Sequence, residues 1–288
     1  MKKPPLIKKL TTRFQERRSA KKMREQGIAF KCSDAATSQK PTHLKDDNIT
    51  VILNAYKRPG YMPQQVAALR RQTAPPTQIW IWCNNSGEAM PDFSDIADRV
   101  VISNFNWKFF GRFALANLAT TTYVALFDDD ILPQPMWFEN CLCTIRNGHD
   151  GILGGSGVLL PASGGYSAKE KIGWNGEHLK TVKTVDLAGH AWFAHKAHYR
   201  HLWREEPYSW DNGEDIHLSC MALRYGNVKT YVPPHPPDDM RQWSCDPEFG
   251  KIAGGGSAAT YKRGDHMPIR DGAVHHYRDG GWKIVNDE

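Results

Sequence analysis

The apolar run Tyr123-Val-Ala-Leu-Phe127 ends abruptly in Asp128-Asp129-Asp130, followed by Ile131-Leu-Pro133. Its β-branched and aromatic residues predict a strand buried on both faces, stopped before a proline that no central strand tolerates. Comparable runs at Ile49–Leu53, Gln78–Cys83 and Arg99–Ser103 predict three further strands. Between them, Pro63–Gln72 repeats Val66 and Leu69 at helical spacing before Pro75-Pro76 stops it, and Ala114–Ala119 predicts a second helix. The order strand, helix, strand, strand, helix, strand is that of an α/β sheet with helices on its faces.

The second half continues the pattern less regularly. A helix is expected over Pro135–Arg146, and a short strand over Gly151–Gly155 that breaks into a glycine-rich loop. That loop lacks the Gly-Lys-Ser/Thr ending of a phosphate-binding P-loop. Residues 161–183 read as polar and irregular, Val185–Ala194 as a strand pair and Lys196–Leu202 as a helix. In Tyr208–Gly226, Ile216, Cys220 and Leu223 make a buried helical face, with Glu214 and Asp215 in the first turn and Gly226 as the stop. Lys229–Val232 is a last strand, closed by Pro233-Pro234-His235-Pro236-Pro237. From Asp238 onward the chain is glycine-rich and polar and reads as a mobile flap.

Two of these places carry chemistry. Three adjacent carboxylates repel one another, and ending a buried strand with them is costly unless a cation compensates. The carboxyl end of a parallel strand is also where open α/β sheets bind ligands, and hard oxygen donors there suit Mg²⁺ or Mn²⁺. The plain alternative is a solvated turn. For Glu214 and Asp215 the plain alternative is ordinary helix-start electrostatics.

Charge adds a separate feature. Residues 1–27 hold ten Lys/Arg against Glu16 and Glu25, a net of +8 where the whole chain carries +6, so residues 28–288 carry −2. The positive charge is therefore a tail and not a stripe on the domain, and no basic, aromatic-interleaved patch points to nucleic acid. The tail has no apolar run long enough for a signal peptide or membrane span. With Leu6, Leu10, Phe14 and Met23 as a thin apolar face it can lie on an anionic membrane surface, or remain a solvated arm. The six cysteines, at 32, 83, 141, 143, 220 and 245, lack paired spacing, which with the missing export signal points to a cytoplasmic location, peripheral at the inner membrane face if the tail binds lipid. The expected organisation is a basic extension and linker over 1–47, a catalytic domain over 48–237 and a flap over 238–288 that completes the site.

Five pieces in order, Val51-Ile-Leu-Asn-Ala-Tyr-Lys-Arg58, Trp82-Cys-Asn-Asn85, Gly111-Arg-Phe113, Phe127-Asp-Asp-Asp-Ile131 and Gly213-Glu-Asp-Ile216, resemble the GT-A-fold, nucleotide-sugar glycosyltransferases. The chain is similar to the bacterial family-2-type enzymes and, in part, to exostosin-like and heparosan-type N-acetylglucosaminyltransferases. The resemblance implies a Rossmann-like, mixed, mostly parallel sheet and transfer of a hexosyl or N-acetylhexosaminyl group from a nucleoside diphosphate sugar, a UDP-sugar above all. The acceptor it implies is a glycan or lipid-linked molecule, reached partly through the 161–183 insertion. Asp128 and Asp130 match the DxD element, with Asp130 the direct ligand of Mn²⁺ or Mg²⁺ and His275 or His276 in the place of a third ligand. Asn54, Arg58, Asn84, Arg112, Asp128 and Asp129 fall where the nucleotide sugar binds. Asp215 matches the catalytic base, and Trp192, Trp210 and Glu214 fall near the acceptor. A Gln/Arg-x-x-Arg-Trp element is missing after Asp215, Arg241-Gln-Trp243 being a loose echo, which argues against a processive synthase. The alternatives are a Mg²⁺-dependent sugar nucleotidyltransferase and a non-catalytic glycan-binding module.

Overall fold

The computed structural model of the chain describes residues 47–255 and 260–287. The basic segment 1–27 and the expected linker up to residue 46 lie outside them. The four apolar runs form β1 (Ile49–Ala55), β2 (Gln78–Cys83), β3 (Arg99–Ile102) and β4 (Tyr123–Phe127), with α1 (Met62–Arg70) and α2 (Gly111–Ala116) between them and α3 (Trp137–Arg146) after. They pair in parallel in the order β3-β2-β1-β4, with Val51 opposite both Ile79 and Ala125. Successive side chains of a strand point to opposite faces. Accordingly Val51, Leu53, Ala125 and Phe127 join the core under α1 and α3, while Ile52, Val124 and Leu126 join the one under α2.

The chain then forms β5 (Ile152–Leu153), β6 (Ser156–Leu159), β7 (Glu170–Gly173), β8 (Lys183–Val185), β9 (Leu187–Gly189), β10 (Trp192–His195), α4 (Glu214–Gly226) and β11 (Thr230–Val232). Antiparallel β10 joins β4 to β5, and β11 and β8 complete an eight-stranded mixed sheet. A small antiparallel sheet, β7-β6-β9, stands beside it. Between β8 and β9 the chain passes from one sheet to the other at buried Asp186, whose carboxylate accepts the Leu160 and Val285 amides at 2.6 Å each.

Several expectations change here. Residues 161–183 are not wholly irregular: β7 pairs with β6 and buries Ile172, a tertiary contact that local composition does not reveal. Lys196–Trp203 is a 3₁₀ helix. The left-handed residue closing α4 is Asn227 (φ 49°), and Gly226 is its last helical residue, where a Cβ would stand 2.5 Å from the His201 ring. Beyond Asp238 the described chain folds into α5 (Pro247–Gly254) and α6 (His266–Asp279) in place of the expected flap. On α6, Ala273, Val274 and Tyr277 pack with Ile216, Cys220 and Met221 of α4, and this burial holds the helix down.

Phe138 of α3 is fully buried, its ring 6.0 Å from Phe127 and 5.8 Å from Phe193. Replacing it with alanine should cost about 3–5 kcal/mol of unfolding free energy in denaturant titration. A loss below ~1 kcal/mol would contradict its place at the centre of this core.

Candidate active site

The strand order turns back between β1 and β4, so the loops leaving their carboxyl ends diverge and open a crevice. The β1 loop brings Asn54, Tyr56, Lys57 and Arg58, the β4 loop Asp128, Asp129 and Asp130, and the β9–β10 turn Gly189 and His190. Glu214 and Asp215 enter from the start of α4, set by Gly213 in a left-handed conformation (φ 89°) that a side chain would strain. Thr260, Tyr261, Arg263, His266 and Arg270 close the far wall. Together they line one cavity of about 350 Å³.

At one end the three aspartates are held by two arginines. Arg58 donates to Asp129 Oδ1 at 2.5 Å, lies 3.0 Å from Asp130 Oδ2, and donates to the Ala253 carbonyl of α5 at 2.6 Å. Arg112 of α2 pairs with Asp128 from below, its guanidinium 4.8 Å from the Trp192 ring and 3.6 Å from Glu214 Oε1. Burial works against both guanidinium charges, but the carboxylates around them keep both pKa values above the ordinary arginine value. Two arginines do not balance three acids in a dry site. Burial, then repulsion from Asp128, pushes Asp130 up to about 6 despite Arg58, and burial also raises Asp129.

That imbalance tests the fit of a cation. Asp128 and Asp130 keep 32% and 23% of their side chains exposed on the cavity, whereas Asp129 is nearly covered. Among the described residues no cluster of three or more His, Cys, Asp or Glu closes into a metal cage. Two accessible carboxylates fit Mg²⁺ or Mn²⁺, which take one or two protein carboxylates and complete their shells with water and substrate phosphate.

At the other end, Arg270 of α6 donates to Asp215 Oδ2 at 2.6 Å and to Asn212 Oδ1 at 3.3 Å, and its guanidinium sits 4.0 Å from the Tyr166 ring. Asn212 also reaches His266 Nδ1 at 2.9 Å. Arg270 is 5% exposed, and against the penalty of burial the Asp215 carboxylate keeps its pKa above the ordinary value. Among the described residues Glu214 has no such partner at hydrogen-bond distance. Burial and the adjacent Asp215 push it up to about 8, so it keeps its proton at neutral pH.

The other expected site residues scatter. Asn54 lines the cavity, and so does Asn84, but the Asn84 amide is occupied with Asn106, the Trp107 amide and the Lys108 carbonyl, fixing that loop. Arg112, expected on the diphosphate, is 2% exposed and serves as a buried counterion beneath Asp128. Trp192 is likewise 2% exposed: Arg112 covers its ring, Phe113 abuts it edge-on, and its Nε1 donates to the Ala188 carbonyl. Trp210 packs edge-on against Phe110 outside the cavity lining. Trp192 thus meets the cavity it lines with little of its surface, and Trp210 stands outside the lining. His275 and His276 lie on the exposed side of α6, the side opposite Val274 and Tyr277, and do not approach Asp130; the histidine that α6 contributes to the cavity is His266. Arg270 and His266 went unpredicted. Their signal was the helical spacing of Arg270, Ala273, Val274 and Tyr277, which sets an arginine on an apolar face.

The family model for glycosyl transferase family 2 matches residues 50–203, more than half the chain, from the second residue of β1 through β10. The chain belongs to glycosyl transferase family 2. No curated protein matches it. The mixed sheet with its parallel half is the GT-A architecture of this glycosyltransferase family. Asp128–Asp130 fall inside the matched segment of the glycosyltransferase, whereas Asp215 and Arg270 lie beyond it. Among the described residues no helix is long and apolar enough to cross a membrane.

The protonated Glu214 has a measurable consequence. The unfolded chain releases this proton near the ordinary value of about 4.3, the folded chain only near 8. Between those values the folded state binds more protons, so stability falls as pH rises. Glu214→Gln removes that loss, and its gain in Tm over the parent should be larger at pH 8 than at pH 5. An equal difference at both would contradict a protonated Glu214.

Proposed function

We propose that this family 2 enzyme transfers a sugar from a nucleoside diphosphate sugar, specifically a UDP-sugar, to a hydroxyl of a glycan or lipid-linked acceptor, with Mn²⁺ or Mg²⁺ at Asp128 and Asp130. The observation that carries this reading is one cavity with an under-neutralised carboxylate cluster at one end and Asp215 at the other. Family 2 members commonly use divalent metals. When bound, the metal supplies positive charge to the diphosphate as it leaves.

The chain's own groups divide the remaining work. Asn54, Tyr56 and Lys57 offer polar contacts to the nucleotide, and Arg58 can turn from Asp130 toward phosphate oxygens, which its fork matches. Asp215 accepts the acceptor hydroxyl's proton as that oxygen bonds to the anomeric carbon and the bond from carbon to the diphosphate oxygen breaks. Arg270, itself anchored by Asn212, holds the carboxylate for this attack, a single displacement that inverts the donor carbon. Protonated Glu214 can donate a hydrogen bond to acceptor or sugar, and Tyr261, 62% exposed in the cavity lining, is an aromatic surface available to an acceptor. A cytoplasmic enzyme whose residues 1–27 touch anionic membrane, with 48–288 as one catalytic unit, completes the reading.

Asp215→Asn keeps size and removes the proton acceptor. Transfer from a UDP-sugar, assayed with Mn²⁺, should fall about 10²–10⁴-fold, with UDP affinity unchanged and the product anomer inverted by NMR in the parent enzyme. Undiminished turnover would remove Asp215 from the chemistry. Pyrophosphate release from a sugar phosphate and a nucleoside triphosphate would make the protein a nucleotidyltransferase, and glycan binding without turnover of any donor a binding module.

A further inference from the structure

A chain of three polar side chains runs from the core to the cavity beside Asp128. His235, 1% exposed, has Nδ1 3.1 Å from the Pro233 carbonyl, and a carbonyl can only accept, so the proton is on Nδ1. Its Nε2 is then an acceptor, and it takes the backbone N–H of Ser244 at 3.2 Å. Ser244 Oγ lies 3.0 Å from the same Nε2 and 3.4 Å from His190 Nε2. If the hydroxyl proton pointed to His190, two lone pairs would face each other across the 3.0 Å contact. The complementary arrangement has Ser244 donating to His235 and accepting from His190 Nε2–H. In a neutral imidazole this leaves His190 Nδ1 as a bare acceptor. Burial pushes His190 down to about 4 and His235 to about 3, so both rings are neutral at physiological pH.

The position of that nitrogen indicates what it meets. A Cβ on Gly155 would touch Ser244 Oγ at 2.2 Å and His190 Cδ2 at 2.9 Å, so the Cδ2–Nε2 edge of His190 is packed inward beside Ser244, with the Trp174 ring 6.0 Å away, and the Nδ1 edge is the one free to face the cavity the residue lines. The turn is strained: His190 and Ala191 have φ of +31° and +48°, and the Gly155 amide donates to the His190 carbonyl at 3.1 Å to hold it. Asp128 is close enough for its charge to act on His190, and a Cβ on the preceding Gly189 would stand 3.7 Å from Asp215 Oδ2. His190 thus lies between the acidic cluster and the candidate base, the interval a sugar crosses on its way from diphosphate to acceptor.

We propose that His190 is a specificity-determining residue for the donor, its Nδ1 accepting a hydrogen bond from a hydroxyl or amide N–H of the transferred sugar, with Ser244 and His235 fixing the tautomer. The inference rests on the UDP-sugar reading above. It predicts that a donor with a hydrogen-bond acceptor only at that position is rejected, because two acceptors would then face each other.

The test is calorimetric titration, with Mn²⁺ present, of the parent protein, His190→Ala and Ser244→Ala with UDP, UDP-glucose, UDP-galactose and UDP-N-acetylglucosamine. His190→Ala should weaken the preferred UDP-sugar by roughly 10- to 100-fold and leave UDP within about twofold. Ser244→Ala keeps the ring but frees its tautomer, and should weaken the sugar by roughly 3- to 10-fold with UDP again unaffected; it carries the test if the first variant does not fold. Equal losses for UDP and UDP-sugar, or unchanged sugar affinity in both variants, would overturn the assignment of His190 and leave the donor reading standing. Failure of the parent to bind UDP or any of the sugars would overturn the donor reading and this inference with it.

Discussion

Ending a buried strand in three carboxylates is the constraint on which this structure turns. β4 is fully covered on both faces, so Asp128–Asp130 emerge from a dry core, Asp129 staying buried while Asp128 and Asp130 reach the cavity. Arg58 and Arg112 answer that charge from different parts of the fold. Arg58 links the β1 loop to Asp129, Asp130 and the end of α5, while Arg112 links α2 to Asp128 and, more distantly, Glu214. Removing either arginine would leave a buried charge without compensation, which costs more than a lost surface pair. What the two cannot balance stays as the raised Asp130, a residual demand for positive charge that the proposed metal-bound diphosphate would meet.

The same logic governs the opposite wall. Glu214 and Asp215 are adjacent and buried, and one cation, Arg270, faces them closely on the α6 side. The pair divides into a carboxylate held by Arg270, which Asn212 anchors in turn, and a neighbour that retains its proton. α6 is thus as much a part of the site as β4, although it lies outside the segment matched by the family. Packing through Val274 and Tyr277 holds α6 on α4, and the bonds to Asp215 and Asn212 make a buried arginine tolerable there.

Local signals were the legible ones. β2 and β4 occupy the predicted residues because continuous apolar runs bounded by polar turns have few other options, and the Asp triplet and the Glu214–Asp215 pair could be read because each sits at an element's end. Partners distant in sequence could not. Arg270 meets Asp215 across 55 residues and Ser244 meets His190 across 54, and nothing local announces either contact. The choice between His266 and the His275–His276 pair depended on helical phase in a segment whose glycines and charges obscured the helix. The burial of Trp192 and Arg112 was hidden for one shared reason: they lie against each other, a contact between residues far apart in sequence.

On the proposed function, the strand-end carboxylates are short of positive charge and a divalent cation with a diphosphate supplies it. Calorimetric titration of the intact protein with UDP, in EDTA and then in Mn²⁺, tests this most directly. The account predicts that Mn²⁺ tightens UDP binding at least about tenfold and that Asp130→Asn abolishes the enhancement. Equal affinity in EDTA and Mn²⁺, or an enhancement that survives Asp130→Asn, would contradict it.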